Sequence, residues 1–132
     1  MKSYLLDTNI CIFFLKGRNQ LHEKIREIGV ANCYISEITI AELMFGAENS
    51  SDIFKHRLEV EAFQSKLTVL PIFNALTIYA KEKARLRKSG NLIDDFDLLI
   101  GATAVANDLI MVTDNVNHLS RLQNIRIENW IA

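Results

Sequence analysis

The stretch YLLDTNICIFFL (residues 4–15) decides the fold, because a buried-looking apolar run is interrupted by three polar residues and then resumes. Asp7, Thr8 and Asn9 have two interpretations. Their side-chain oxygens suit a helix N-cap, which would mark the point where a strand gives way to a helix. Alternatively, a carboxylate at the carboxyl end of a first strand lies where open α/β sheets bind ligands. The rest of the chain has to distinguish the two.

Length and composition are those of an ordinary globular domain. The 132 residues, 49% apolar and 23% charged, predict a single domain over 1–132 with one core and no need of disulfides. Cys11 and Cys33 lie in apolar patterns without metal-ligand spacing, so we expect buried thiols. No run is long enough for a membrane span and no signal-peptide pattern is found, which predicts a cytoplasmic protein with no membrane partner.

The net charge of −1 excludes a strongly basic nucleic-acid binder. Any contact with nucleic acid must therefore be local. Lys16 and Arg18 follow the first predicted helix, close to Asp7 in the chain, and are candidates for holding RNA phosphates. A second candidate stripe recurs at helical spacing further along, and consists of Lys81, Arg85 and Lys88. Such a stripe is also typical of a solvated helix face.

Hydrophobic patterning predicts strands that alternate with helices. The predicted strands span residues 2–6, 32–36, 67–70, 109–113 and, as a short last one, 125–128. The predicted helices span residues 9–15, 21–28, a segment from Thr39, 53–65, 75–88, and a segment from near Asp94 to Asn107. Because the strands are continuously apolar rather than alternating, we expect the α/β class, with a central, mainly parallel sheet covered on both faces.

Polar side chains occur repeatedly where predicted strands end or helices begin. Asp7 ends the first strand, Glu42 lies early in the helix after the second, and Asp97 lies near the start of a later helix. Asp114 and Asn115 directly follow the fourth strand. Right-handed crossovers bring the carboxyl ends of parallel strands to one edge, so we expect these residues to meet there.

Each acid alone has a structural explanation. Thr39 and Glu42 match the capping-box pattern, and Asp94, Asp95 and Asp97 suit a helix N-terminus. Together, however, carboxylates from separate segments would repel one another unless a cation neutralised them. Mg²⁺ or Mn²⁺ prefers such oxygen ligands and assists phosphodiester hydrolysis. The sequence therefore predicts a metal-dependent hydrolytic site.

Four segments, in this order, resemble PIN-domain ribonucleases of the VapC toxin type: LLDTNI, ITIAELMFGA, DLLIGATAVANDLIMVT and NIRIENW. The resemblance implies a three-layer α/β/α domain, Mg²⁺- or Mn²⁺-dependent endoribonuclease activity, a homodimer, and a VapB-type antitoxin that blocks the active site. By the same resemblance, Asp7, Glu42 and Asp97 match the acidic metal-site positions. The fourth catalytic position stays open between Asp114 and Asn115.

Some neighbouring residues complete this hypothesis. Asp95 competes with Asp97 as the ligand, although the register before LLIGA favours Asp97. Thr8, Asn9 and Thr113 are candidates for holding the carboxylates by hydrogen bonds. Gly101 stands where the family often has alanine, which predicts close helix packing. Apolar residues that are candidates for a dimer or antitoxin surface are Phe13, Phe14, Met44, Phe45 and Phe54.

Two other functions are compatible with these residues. An aspartyl-phosphate phosphohydrolase or phospho-receiver would use Asp7 as its nucleophile, but a phosphatase usually needs a second aspartate where this chain has Asn9. A non-catalytic RNA-binding or interaction module could share the fold without binding metal. No nucleotide-binding glycine loop is present.

Overall fold

A computed structural model describes residues 2–131 and contains one five-stranded parallel sheet in the order β3-β2-β1-β4-β5. The strands are β1 (Tyr4–Leu6), β2 (Cys33–Ser36), β3 (Thr68–Leu70), β4 (Ile110–Val112) and β5 (Ile127–Glu128). Every strand pair is parallel. The predicted α/β class with a central parallel sheet is therefore confirmed.

The helices fall close to the predicted segments. They are α1 (Thr8–Leu15), α2 (Leu21–Ile28), α3 (Glu37–Glu48), α4 (Ile53–Lys66), α5 (Leu76–Lys88), α6 (Asp95–Ala106) and α7 (Val116–Leu119). Short 3-10 helices cover Val30–Asn32 and Phe73–Ala75. Sequence patterning did not predict α7, because a helix of four residues is too short to show helical periodicity.

The two faces of the sheet are buried under different helices. In β1, Leu6 packs among α1, α2, α3 and α4 on one face, and Leu5 packs against α6 and α7 on the other. Helix α5 lies against α6, where Leu86 and Leu98 share a further buried cluster. This arrangement gives three layers, with β1 at the centre of the sheet.

The capping-box interpretation of α3 is wrong. The helix begins at Glu37, and the Ser36 hydroxyl is the N-cap, accepting from the Ile38 N–H at 3.0 Å. Thr39 is thus inside the helix, fully buried, and Glu42 lies on its second turn. By contrast, Asp94 caps α6 as expected, accepting from the Phe96 N–H at 3.0 Å. Both cysteines are buried and free, as predicted.

Close packing at Gly101 is confirmed. A Cβ built there would lie 2.9 Å from the Leu119 Cδ1 and 2.9 Å from the Leu122 Cδ2. Residues of α6, α7 and the following loop therefore approach so closely that a Cβ at this position would require the two leucine side chains to shift. None of the helices within residues 2–131 has the length and hydropathy to cross a bilayer.

Two glycine substitutions should have opposite effects on stability. Gly101→Val forces a branched side chain against two leucines and should lower the free energy of unfolding by roughly 1–3 kcal/mol. Gly46→Ala, in α3, adds a Cβ with no neighbouring atom within 4 Å and should raise it by up to about 1 kcal/mol. Urea unfolding of both variants checks this, and equal effects would contradict the packing described.

Candidate active site

Asp7 occupies both positions that the sequence suggested, a helix N-cap and the carboxyl end of the first strand. It is the N-cap of α1, and its Oδ1 accepts from the Thr8 N–H at 2.8 Å. Its Oδ2 accepts from the Thr113 hydroxyl at 2.7 Å and from the Asn9 amide at 3.5 Å. Only 2% of the residue is exposed. A carboxylate is therefore fixed at the carboxyl end of the central strand.

The register of β1 against β4 explains why the Thr113 hydroxyl lies within hydrogen-bond distance of Asp7. β1 and β4 pair in parallel with Leu6 opposite Val112, and the Asp7 N–H donates to the Val112 carbonyl at 2.9 Å. Asp7 and Thr113 are thus each one residue beyond the end of their strands, side by side. The expected meeting of strand ends at one edge holds here.

Glu42 approaches the same edge from α3. The Thr8 hydroxyl donates to Glu42 Oε1 at 2.6 Å and lies 3.0 Å from the hydroxyl of Thr39. Thr39 is a site residue that the sequence interpretation missed, since its match to a capping box supplied a different role. Thr39 lies three residues before Glu42, so the two side chains share one face of α3, and this spacing could have identified Thr39 as a neighbour of the site.

Asp97 lies in the first turn of α6 and is joined to the site by Asn115. The Asn115 amide donates to Asp97 Oδ2 at 3.3 Å, and the Asn115 N–H donates to the Thr113 hydroxyl at 2.9 Å. The same Thr113 hydroxyl donates to Asp7, so it connects the start of α1 with the loop that contains Asn115. A chain of hydrogen bonds thus runs from Asp7 through Thr113 and Asn115 to Asp97.

Asp114 lies outside this chain of hydrogen bonds. It is exposed, and its Oδ1 accepts from the Asn129 amide at 3.2 Å. Asp95, the other alternative, accepts from the Tyr79 hydroxyl and pairs with Lys83, both at 2.9 Å. The geometry therefore brings Asn115 rather than Asp114, and Asp97 rather than Asp95, to the acidic edge.

The carboxylates influence one another electrostatically. Burial first, and then the charges of Asp7, Asp94 and Glu42, raise the pKa of Asp97 to about 6, while His118 opposes them. Burial also raises the pKa of Asp7, with a smaller contribution from Glu42, against hydrogen bonds from Thr113 and Thr8 that lower it. The carboxylates of this edge thus repel one another, in addition to the cost of their burial.

The donor set fits a hard divalent cation by its chemistry. Asp7, Glu42 and Asp97 offer carboxylate oxygens, which Mg²⁺ and Mn²⁺ prefer, and the raised pKa of Asp97 reflects a place where positive charge would be favourable. Within residues 2–131 no three such side chains already stand in a closed metal-binding arrangement. A cation at this edge would be held by Asp7, Glu42 and Asp97.

The predicted RNA-contacting residues fall in different places. Lys16 caps the end of α1 and lines a cavity together with Glu42, whereas Arg18 is exposed in the following loop. Lys81 and Lys88 are exposed on α5. Arg85 does not form a free stripe with them, because its guanidinium binds the Glu82 carboxylate at 2.9 Å and the Arg121 carbonyl at 2.7 Å.

Comparisons with known proteins agree with this architecture. The sequence model of the PIN domain family matches residues 4–124. The chain is 33% identical over 131 residues to the tRNA(fMet)-specific endonuclease VapC of Salmonella typhimurium, covering 98% of this chain and 99% of that protein. It is 35% identical to ribonuclease VapC2 of Haemophilus influenzae, covering 99% of this chain and 100% of that protein.

Solved structures give the same result. VapBC from Salmonella typhimurium bound to DNA contains a chain that superposes with a TM-score of 0.92 at 33% identity, covering 98% of this chain and 99% of that one. A chain of VapBC2 from Rickettsia felis, also bound to DNA, superposes with a TM-score of 0.89 at 28% identity, covering 96% and 98%.

Asp97→Asn should stabilise the metal-free protein at pH 7. Because the folded-state pKa of Asp97 is raised to about 6, the native state binds this proton more tightly than the unfolded state does. Its favourable contribution is complete below about pH 4 and is lost as the pH rises through 6. Since the side chain is partly open to solvent, we expect a gain of only about 1 kcal/mol.

Urea unfolding in EDTA checks this prediction at about pH 4, close to the ordinary pKa of an aspartate, and at about pH 7, above the raised pKa of Asp97. The wild type should lose more stability between the two values than Asp97→Asn does. Asp95→Asn is the matched control two residues away, and it should give no gain at neutral pH because Asp95 is paired with Lys83. If the free energy of unfolding of wild type and of Asp97→Asn changed equally with pH, the raised pKa of Asp97 would be contradicted.

Proposed function

This chain belongs to the PIN domain family, in its VapC branch, and we propose that it is a metal-dependent endoribonuclease, the toxin of a VapBC-type toxin–antitoxin pair. The observation that carries the proposal is the convergence of Asp7, Glu42, Asp97 and Asn115, from four segments, on the carboxyl edge of the sheet. The ribonuclease names of relatives that match the full length of the chain support it.

Asp7 and Asp97 are the proposed ligands of Mg²⁺ or Mn²⁺, and Glu42 either adds a ligand or orients the attacking water. The cation would supply activation of water and neutralisation of charge on the scissile phosphate. Hydrogen bonds from Thr113 and Thr8 orient Asp7 and favour its ionised form, against the burial that raises its pKa. Asn115, whose amide donates to Asp97 Oδ2, is the residue proposed for the fourth position, and this hydrogen bond supports that choice over Asp114.

RNA is the proposed substrate, and initiator tRNA is the first RNA to test. The Salmonella relative that is 33% identical is named a tRNA(fMet)-specific endonuclease. Lys16, beside Glu42, is suited to hold a phosphate near the acidic edge, whereas Arg85 is occupied by Glu82 and Arg121. An RNA-cleaving toxin would act in the cytoplasm, which is the proposed location.

Protein partners are proposed from exposed apolar residues. The solved relatives are VapBC complexes, which supports a VapB-type antitoxin for this chain. Among the candidates from sequence, Phe45 and Phe54 are 69% and 72% exposed, and Met44 is 55% exposed. Phe13 and Phe14 instead pack against the core. We also propose that the chain forms a homodimer, and that exposed apolar residues contribute to the dimer interface as well as to the antitoxin interface.

The aspartyl-phosphate alternative is less well supported. A phosphatase of this kind usually needs a second aspartate two residues after the nucleophile, and that position is Asn9, whose amide donates to Asp7 Oδ2 at 3.5 Å. The non-catalytic module stays an alternative that cleavage assays decide.

Substitution of Asp97 should abolish cleavage, whereas substitution of Asp95 should not. With Mg²⁺ or Mn²⁺, wild type should cut RNA in a pool that contains initiator tRNA, and EDTA should stop it. Asp97→Asn should lower the rate by roughly 100-fold or more, because one ligand of the cation loses its charge. Asp95→Asn should retain the wild-type rate, since Asp95 faces Lys83 and Tyr79.

Sequencing of the new RNA ends measures the cuts and identifies the substrate. Cleavage that persists in both variants would indicate a contaminant. Absence of cleavage by metal-loaded, antitoxin-free wild type would contradict the proposal and favour the non-catalytic module.

A further inference from the structure

His118 lies at the end of the hydrogen-bond chain that begins at Asp7. Its Nδ1 is 3.1 Å from the side-chain nitrogen of Asn115, and the same nitrogen is 3.3 Å from Asp97 Oδ2. One amide nitrogen therefore contacts a carboxylate and an imidazole. An amide NH2 group has two N–H donors, so both contacts are hydrogen bonds that it can make at the same time.

The carboxylate of Asp97 determines which end of the Asn115 amide faces it. An ionised carboxylate only accepts hydrogen bonds, so the amide nitrogen rather than the amide oxygen has to face Asp97. That nitrogen only donates, so His118 Nδ1 has to accept from it and, in the neutral ring, carries no proton. The contacts therefore assign the Nε2–H tautomer to His118.

The backbone of α7 sets the position of His118 relative to Asn115. Asn115 is the N-cap of α7 and His118 lies three residues later, so the two side chains are neighbours on one face of this turn. The Leu119 N–H donates to the Asn115 carbonyl at 3.1 Å, and the Leu119 side chain is fully buried beside Gly101 of α6. The core thus anchors the turn, although the imidazole itself is exposed.

The bond to His118 limits the rotation of the Asn115 amide. With Asp97 as its one side-chain partner, the amide could turn about its χ2 bond and donate its second N–H to water. Two acceptors on different elements, the start of α6 and the end of α7, instead fix the plane of the amide. A fixed amide in turn holds the Asp97 carboxylate in one orientation.

We propose that His118 is a positioning residue of the candidate active site, whose Nδ1 orients the Asn115 amide so that the amide holds the Asp97 carboxylate at the carboxyl edge of the sheet. The inference rests on the proposed ribonuclease function and adds a residue to it. Loss of a hydrogen-bond partner behind a metal-binding side chain commonly lowers metal affinity or activity by roughly 10- to 100-fold. Because His118 acts on Asp97 and not on the RNA, its loss should lower kcat and leave KM unchanged.

His118→Asn and His118→Gln form a matched pair that distinguishes the two ring nitrogens. The side-chain oxygen of asparagine takes the place of Nδ1, whereas that of glutamine extends to the place of Nε2. With Mn²⁺ and the RNA that wild type cuts, His118→Asn should retain kcat within about threefold, and His118→Gln and His118→Ala should lower it by roughly tenfold. KM for RNA should be unchanged in all three variants.

Asn117→Ala is the control at a neighbouring exposed position, where the backbone carbonyl makes the described hydrogen bond. It should keep the wild-type kcat. Thermal melting verifies that each variant is folded.

Nuclear magnetic resonance of the isotope-labelled protein gives a readout that needs neither metal nor cleavage. In EDTA at about pH 8, where the ring is neutral, long-range proton–nitrogen correlations should show the Nε2–H tautomer of His118. The side-chain amide protons of Asn115, assigned by their absence in Asn115→Asp, should shift upfield in His118→Ala and His118→Gln, because one hydrogen bond is lost. They should stay near their wild-type positions in His118→Asn.

Three results would overturn the inference. Activity that survives in His118→Gln and is lost in His118→Asn would show that the ring acts through Nε2. Wild-type kcat in all three variants would show that the contact has no part in cleavage, and unchanged Asn115 amide resonances in His118→Ala would show that Nδ1 does not orient the amide. Failure of the ribonuclease proposal would be recognised separately, as absent cleavage by wild type with metal, because the resonances are measured without metal.

Discussion

The burial of carboxylates at the carboxyl edge of the sheet, together with the repulsion among them, is the constraint on which this site depends. Asp7 is almost fully buried, and burial together with the charges of Asp7, Asp94 and Glu42 raises the pKa of Asp97 to about 6. Folding to this arrangement costs free energy that the apolar core has to offset. Protein sites in which burial and like charges perturb the pKa of a carboxylate are commonly functional, because a cation or a substrate can offset the repulsion.

The fold keeps these charges close by hydrogen bonds from hydroxyl and amide groups. Thr113 donates to Asp7 and accepts from the Asn115 N–H, so one buried hydroxyl fixes the relation between two strand ends and the loop after β4. The Thr8 hydroxyl likewise connects the start of α1 to α3, because it donates to the Glu42 carboxylate. Asp7 and Asp97 also lie at helix N-termini, where the partial positive charge of the helix favours a carboxylate.

Much of this could be predicted from the sequence, because parallel strands impose a simple rule. Apolar strands that alternate with helices predict the sheet, and acids after those strands predict the acidic edge. Asp114 and Asn115 could not be distinguished, since the conformation of the loop after β4 decides which of these two neighbouring side chains contacts Asp97.

Two other assignments were wrong for different reasons. Thr39 was assigned to a helix cap because its partner, Thr8, is a tertiary contact that periodicity does not reveal. Arg85 was assigned to a basic stripe, although its partner Glu82, three residues before it on the same helix, was visible from the spacing.

We propose that this edge of the sheet holds a divalent cation. Mn²⁺ titration of the metal-free protein, followed by electron paramagnetic resonance of the free ion, tests it most directly. We expect saturable binding by wild type and by Asp95→Asn, and binding at least about tenfold weaker in Asp7→Asn and Asp97→Asn, since each removes one charged ligand. Equal Mn²⁺ affinity in all four proteins, or no binding at millimolar Mn²⁺, would contradict the account.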